Sequence, residues 1–276
     1  MIDAHVHIWQ LGANDCTWPT VDLAAIHRDH MLADFERVAT PCGITAAILV
    51  QSQESVRDTR WLLEQAAEAP LVAGVVGWAD LSAHDIAAQL AALAAIGPLV
   101  GVRPMVQDLA SDWFDDPALD SGLANVAAAN LTLDALIRPR HLAALDRVAD
   151  RLPALRIVID HAAKPAIGPD PFDATFNAWH DALAPLARHP NVACKLSGLL
   201  TETAPGQSPQ AMLPYIRAII ALFGGSRVIW GSDWPVLNLR GDYREWLSLA
   251  REAIPTADRD AVFGGNARHF YPRMRA

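Results

Sequence analysis

The 276-residue sequence predicts a parallel (β/α)8, or TIM, barrel spanning residues 1–276 as one domain, and three observations predict it. Eight short apolar runs recur along the chain, each near-continuous rather than strictly alternating, the pattern of strands buried on both faces. Ala/Leu-rich segments with helical spacing lie between them, the alternation that builds a parallel sheet. The long connections, residues 10–30, 104–116 and 199–207, all follow strands, so in a barrel they gather at the C-terminal mouth, where ligand sites are built. An open doubly wound sheet competes with this architecture. It is disfavoured because no G-x-G-x-x-G or G-x-x-x-x-G-K-[ST] phosphate loop follows any run.

The first strand starts at Ile2 (IDAHVHIW), and beyond the first long loop a helix is expected over 31–40. ITAAILVQ from Ile44 leads to a helix over 54–69, and LVAGVVGW from Leu71 to one over 83–95. Ser82 and Asp85 have the spacing of a capping box for that third helix, and Gly97 stands where it should stop. LVGVRPM near Pro98 leads into 118–129, LTLDALIR from Leu131 into 140–151, and RIVIDHA from Arg156 into 172–188. NVACKLSG from Asn191 precedes a helix over 208–223, where Pro209 after Ser208 suits a first turn and Gly224 and Gly225 a stop. RVIWGSDW from Arg227 is the eighth strand.

Composition bounds the function classes. Hydrophobic residues make up 52% of the chain and charged ones 19%, enough for a large core and against disorder. Cys16, Cys42 and Cys194 are odd in number and lack C-x-x-C spacing, so reduced thiols are expected rather than a disulfide framework. Met1 runs into the first apolar segment with no basic n-region, and the most apolar stretch, 86–102, is broken by Gln89, Gly97 and Pro98. A cytoplasmic protein with no membrane span is therefore expected. The net charge of −9, without a basic run, argues against nucleic acid as a partner, and a homo-oligomer is compatible with the sequence. Of 22 basic residues 20 are Arg, so Lys164 and Lys195 stand out.

Polar residues at the C-terminal ends of the runs form the candidate site: His5, His7, Gln51, Trp78, Asp80, Arg103, Arg138, His161, Lys195 and Asp233. Residues two apart on a strand share a face, so if His5 faces the barrel interior His7 does too, and both converge with His161 and Asp233. Asp233, beside Trp234, is the natural general base, its pKa expected to rise by partial desolvation. The competing reading is a helix N-cap, which Pro235 two residues on favours. Lys195 lies between Cys194 and Leu196, and a buried unpaired lysine is costly, so a partner is implied: a ligand, or an ion pair with Asp160 or Asp233. Arg103 and Lys195 are fixed charges able to polarise a carbonyl. Lys164, in HAAKP, either reaches the site or extends to solvent. No serine sits in G-x-S-x-G, which disfavours a serine nucleophile.

An H-x-H on strand one with an Asp ending strand eight resembles the amidohydrolase superfamily. More narrowly it resembles the branch containing sugar lactonases, of the fuconolactonase and rhamnonolactonase kinds, and 2-pyrone-4,6-dicarboxylate lactonases. The stretches MIDAHVHIW, GVRP, VIDHAAKP, NVACKLSGL, VIWGSDWP and FGGNARHFY carry the resemblance, from residue 1 to residue 271. It implies the same barrel and hydrolysis of a carbohydrate-derived lactone, such as a fucono- or rhamnonolactone, to the sugar acid. A pyrone dicarboxylate would need two anion clamps, and the mouth offers few basic groups beyond Arg103, Lys195 and Lys164 or Arg138. The alternatives are a metal-dependent amidohydrolase or a decarboxylase on the same scaffold, or a non-enzymatic sugar-acid-binding barrel.

Metal-dependent members of the superfamily add a carbamylated Lys, a Glu or a His from middle strands. Here the fourth run ends in Arg103 and the fifth has no His, and a guanidinium opposes a nearby dication. His5, His7, His161 and Asp233 remain as a set for adventitious zinc, so no cofactor is expected to be required, with zinc as the alternative. Without a metal, Asp233 is expected to deprotonate water while Lys195, Arg103 and His161 stabilise the oxyanion, the proton returning directly or through His5 or His7. Six of the nine tryptophans (Trp9, Trp18, Trp78, Trp113, Trp230, Trp234) fall at strand ends or in mouth loops. A flat aromatic wall suits a sugar ring; the plainer alternative is that these rings plug the barrel top. Trp9, Trp78, Trp113 and Trp234, with Gln51, Asp80 and Lys164, are the expected substrate contacts. Cys16 either reaches the pocket or is a buried thiol.

Overall fold

Eight strands follow one another round a ring: β1 (Ile2–Val6), β2 (Ala46–Val50), β3 (Val72–Gly77), β4 (Leu99–Val102), β5 (Thr132–Ala135), β6 (Arg156–Ile159), β7 (Val192–Leu196) and β8 (Val228–Trp230). Each pairs with the next in parallel, in chain order. The ring closes just past the end of β8, where the Asp233 N–H donates to the His5 carbonyl at 2.9 Å and the His7 N–H to the Trp234 carbonyl at 2.7 Å. The computed structural model describes residues 1–170 and 172–275. Among them, no helix is long and apolar enough to cross a membrane.

The strands read as apolar runs because all but β5, which carries the polar Thr132 and Asp134, contribute apolar residues to cores on both sides. Val6, Leu49, Val75, Val102, Leu133, Ile157, Cys194 and Val228 pack outward against the helices. Ala4, Ile48, Val50, Val76, Val100, Val158, Ala193 and Ile229 fill the interior. The helices are α1 (Leu32–Ala39), α2 (Val56–Glu68), α3 (Ile86–Ala94), α4 (Asp120–Ala128), α5 (Leu142–Arg151), α6 (Ala174–Leu183), α7 (Leu213–Phe223), α8 (Tyr243–Ala253) and α9 (Asn266–Phe270). Ala267, Phe270 and Tyr271 join the interior cluster. The Phe270 carbonyl accepts from Thr132 Oγ1 and Asn266 Nδ2 donates to the Val228 carbonyl, so α9 closes the end of the barrel where the strands begin.

Three local expectations need correction. The capping box of Ser82 and Asp85 does not form: Ser82 Oγ instead donates to Asp80 Oδ1 at 2.6 Å, and α3 starts after Asp85 without a side-chain cap. The helix over 172–188 stops at Leu183, and a separate 3₁₀ turn, Leu186–Arg188, follows Pro185, which has no N–H to continue the ladder. The segment over 208–223 is likewise two pieces, a 3₁₀ turn Pro209–Met212 capped by Ser208 and then α7, with Pro214 in its first turn.

Candidate active site

β1 does not alternate regularly. Ile2 and Ala4 belong to the interior cluster, whereas Val6 and Ile8 belong to the outer one. The reversal falls where the pairing of β1 with β2 shifts register between Asp3 and Val6, an irregularity that re-aims side chains. It turns His5 and His7 inward together. Their Nε2 atoms lie 3.1 Å apart, and His7 Nδ1 donates to the Val50 carbonyl at 2.8 Å, leaving His7 Nε2 as a bare acceptor. Asp233 Oδ1 completes a triangle, 3.2 Å from His7 Nε2 and 3.7 Å from His5 Nε2.

Asp233 has φ 61°, and its side chain caps no helix; the backbone carbonyl alone accepts from the Leu237 N–H. Asp3, which sequence reasoning missed, supports this corner from behind. Its Oδ1 accepts from the N–H groups of Ser232 and His5, and its Oδ2 from the Tyr243 hydroxyl at 2.8 Å.

His161 arrives by a different route. After β6 the chain turns through four consecutive left-handed residues without a glycine, His161, Ala162, Ala163 and Lys164, with φ between 50° and 62°. Such a conformation costs L-residues ~1–2 kcal/mol each and persists only where packing dictates it. Here Ala162 and Ala163 are fully buried, and Trp179 Nε1 donates to the Ala162 carbonyl at 2.8 Å. The turn lets the adjacent Asp160 and His161 both serve the site. His161 Nδ1 lies 2.9 Å from Ser197 Oγ, leaving Nε2 as the free ring nitrogen.

That position depends on Gly198. A Cβ there would meet His161 Nδ1 at 2.2 Å, and its φ of 63° already favours glycine. Gly198→Ala should therefore displace the His161 ring, costing ~1–3 kcal/mol of stability and lowering kcat by ~10²-fold. Urea unfolding and turnover measured together check both. Full activity in a folded variant would show that the His161 position is not needed.

Beneath the His pair lies a fully buried ion cluster. Lys195 Nζ is 2.6 Å from Asp134 Oδ2 and 2.8 Å from Asp160 Oδ1. Tyr271 donates its hydroxyl to Asp134 Oδ2 at 2.8 Å, and Arg103 Nη1 lies 3.4 Å from Asp160 Oδ2. Two cations face two carboxylates, so the cluster is neutral. Burial opposes the charge on Lys195, yet Asp134 and Asp160 outweigh it and hold the ammonium above its ordinary value. Burial likewise disfavours ionised Asp160, but Lys195, His5 and Arg103 keep its carboxyl well below the usual range. Burial pushes Asp134 up to about 6 against the pull of Lys195, which still leaves it ionised at neutral pH.

Burial is also the main influence on the imidazoles. It lowers His161 to about 4, with Asp233 and Asp160 opposing, and holds His5 well below its ordinary value. Both rings are neutral at pH 7. For Asp233 the expected rise is reversed: burial does raise it, but the field of His161 and the contacts of His7 and His5 outweigh burial and keep the carboxylate ionised.

His7, Arg103, His161 and Asp233 line a cavity of about 1050 Å³ at the mouth, together with Trp18, Trp78 and Lys164. Lys164 pairs with Glu202 at 3.4 Å. Several expected contacts are absent from its wall. Lys195 is sealed beneath the floor and cannot touch an oxyanion. Gln51 is a brace, its Nε2 donating to the Arg103 backbone carbonyl and its backbone carbonyl accepting from Arg103 Nη2. Trp9 is buried against Trp18 and His30, with Nε1 donating to the Arg28 carbonyl. Trp113 packs on Phe114, and Trp234 sits between Phe35 and His30. Trp230 is buried against Phe263 in the outer core. Asp80 is exposed and held by Ser82, and Arg138 pairs loosely with Asp108. Cys16 is a buried thiol pushed up to about 11 by burial and then by Asp58 and Asp29.

The sequence profile of the amidohydrolase family matches residues 2–273. The chain belongs to the amidohydrolase family. It is 48% identical to the L-fucono-1,5-lactonase of Burkholderia ambifaria, over 98% of this chain and 94% of that one. It is 34% identical to the L-fucono-1,5-lactonase of Burkholderia multivorans, over 98% and 95%. Among solved structures, an amidohydrolase from Burkholderia multivorans with zinc bound superposes with a TM-score of 0.89 at 33% identity, covering 98% of both chains.

Zinc poses a test for this amidohydrolase site. Donor atoms ~2.0–2.2 Å from a tetrahedral zinc ion lie ~3.3–3.6 Å from one another. The triangle of His5 Nε2, His7 Nε2 and Asp233 Oδ1 has edges of 3.1, 3.2 and 3.7 Å, so its size suits the ion. The repulsion expected from Arg103 is offset by Asp160. The hydrogen bonding does not suit it. Lys195 Nζ, a donor only, lies 3.2 Å from His5 Nδ1. A hydrogen bond donated by Lys195 to that atom places the His5 hydrogen on Nε2, the atom a metal would need bare.

Proposed function

We propose that the protein hydrolyses a carbohydrate-derived lactone of the L-fucono-1,5-lactone class to the sugar acid, without a metal. The observation that carries this reading is an ionised carboxylate, Asp233, held beside two imidazoles on the floor of a cavity walled by Trp18 and Trp78. The near-full-length likeness to the two Burkholderia L-fucono-1,5-lactonases supports the substrate class. The indole walls offer apolar faces to a sugar ring. The cavity cations Arg57, Arg103 and Lys164 each already face a carboxylate, Asp15, Asp160 and Glu202, at 3.6, 3.4 and 3.4 Å, which leaves no pair of free cations for a dicarboxylate.

In this mechanism Asp233 takes a proton from water as the oxygen attacks the lactone carbonyl. Its Oδ1 lies 3.2 Å from His7 Nε2, so the protonated carboxyl stays beside the imidazole pair. Neutral His161, accepting at Nδ1 from Ser197, donates through Nε2 to the developing oxyanion, with Arg103 beside it. The bond from the acyl carbon to the ring oxygen then breaks, and the proton on Asp233 passes to that oxygen. This assigns to His161 and Arg103 the stabilisation that the sequence shared with Lys195.

A panel of aldonolactones followed by acid release tests the activity; turnover of L-fucono-1,5-lactone is expected, and binding without turnover would overturn it. Activity should also survive exhaustive chelation. A loss on chelation that zinc or manganese restores would replace this mechanism with a metal-dependent one.

A further inference from the structure

We infer that Lys195, buttressed by Asp134 and Tyr271, is a positioning residue that fixes the hydrogen of His5 on Nε2 and thereby keeps the His5–His7–Asp233 triangle a proton site rather than a metal site. The ammonium hydrogen-bonds to Asp134 Oδ2 at 2.6 Å and to His5 Nδ1 at 3.2 Å, while Asp160 Oδ1, 2.8 Å away, is an ion-pair neighbour and not a hydrogen-bond acceptor. Asp134 aims the ammonium, and Asp134 is in turn held by the Tyr271 hydroxyl from the closed end of the barrel. The order of donors then runs one way: Lys195 Nζ to His5 Nδ1, His5 Nε2 to His7 Nε2, His7 Nδ1 to the Val50 carbonyl. At rest the triangle holds one hydrogen among three acceptor atoms and has room for a second, the proton that Asp233 takes from water.

A metal in the triangle needs all three atoms bare. His5 would have to carry its hydrogen on Nδ1, where only Asp160 Oδ1, at 3.5 Å, could accept it and where Lys195 stands in the way. Partners behind a metal-ligating histidine normally accept from the ring, and here the nearest one donates.

Two measurements test this, and neither involves a lactone, so their failure is distinct from failure of the lactonase reading on which the proton's role rests. Two-bond proton–nitrogen NMR, with the His5 signal identified by its loss in His5→Gln, should show hydrogen on Nε2 and a bare Nδ1. The double variant Lys195→Met/Asp134→Asn removes one cation and one anion together, leaving Asp160 its Arg103 partner. It should swap the His5 tautomer and tighten zinc binding, measured by calorimetry with zinc alone, by ~10–100-fold. A wild-type His5 bare at Nε2 overturns the inference, as does a double variant that binds zinc no more tightly than wild type. Should the double variant fail to fold, the wild-type tautomer decides alone.

Discussion

Asp233→Asn is expected to lower kcat on an aldonolactone by ~10²–10⁴-fold, the usual contribution of a general base, while leaving KM close to wild type. The amide has the shape of the carboxylate, so the packing around His5 and His7 survives and the variant should fold. It loses the ability to take a proton from water. The same substitution leaves His161, Ser197 and Arg103 where they are, so residual turnover should reflect oxyanion stabilisation and binding alone. Acid release under saturating lactone, beside a circular dichroism spectrum, measures both halves. Near-full activity would move the base to His7 or His161. A rise in KM with kcat unchanged would make Asp233 a binding group.

The barrel was legible because strands buried on both faces leave a signature that few other elements share, and all the runs but β5, which reaches only the outer cluster, have residues in both the interior and outer clusters. The convergence of His5, His7, His161 and Asp233 was expected from their places at strand ends, but the β1 irregularity and the left-handed turn that bring it about were not. What failed did so for identifiable reasons. Trp9 is two residues beyond His7, but β1 ends at Val6, so a period of two no longer assigns its face. The left-handed turn at His161 has no sequence mark, since residues with a Cβ prefer the right-handed region and only tertiary packing overrides them. Desolvation of Asp233 was foreseeable from its neighbours, but the opposing field of three imidazoles exists only once β1 and β6 meet β8.

Asp134 is the instructive omission. It lies between Leu133 and Ala135 in a buried strand, and the cost of burying an unpaired charge, which singled out Lys195, applies to it equally. Applied to both residues, the argument would have suggested the pair. It stayed hidden because β5 and β7 are separated by β6, and cross-strand reasoning looks first to adjacent strands. The buried polar residues beneath the cavity are therefore better read as a set that must sum to neutrality than as individual candidates.

That neutrality has a large energetic consequence. Lys195→Met should cost ~3–5 kcal/mol of stability, because it leaves a buried carboxylate without its cation. Asp160 would keep Arg103 at 3.4 Å, but Asp134 would keep only the Tyr271 hydroxyl. Replacing a whole buried pair by neutral groups is, by contrast, often close to neutral. Lys195→Met/Asp134→Asn should accordingly recover most of the loss, making the double variant more stable than the single one. The measurement is the urea midpoint of wild type, both single variants and the double variant, compared where the denaturant slope is unchanged. Asp134→Asn alone should also destabilise, since Lys195 would then face one carboxylate instead of two. If the two losses simply add, Lys195 and Asp134 are not coupled and the cluster is not held together by its charges. A double variant that regains stability yet loses turnover would separate the two duties of Lys195, holding the floor of the barrel together and holding the hydrogen on His5.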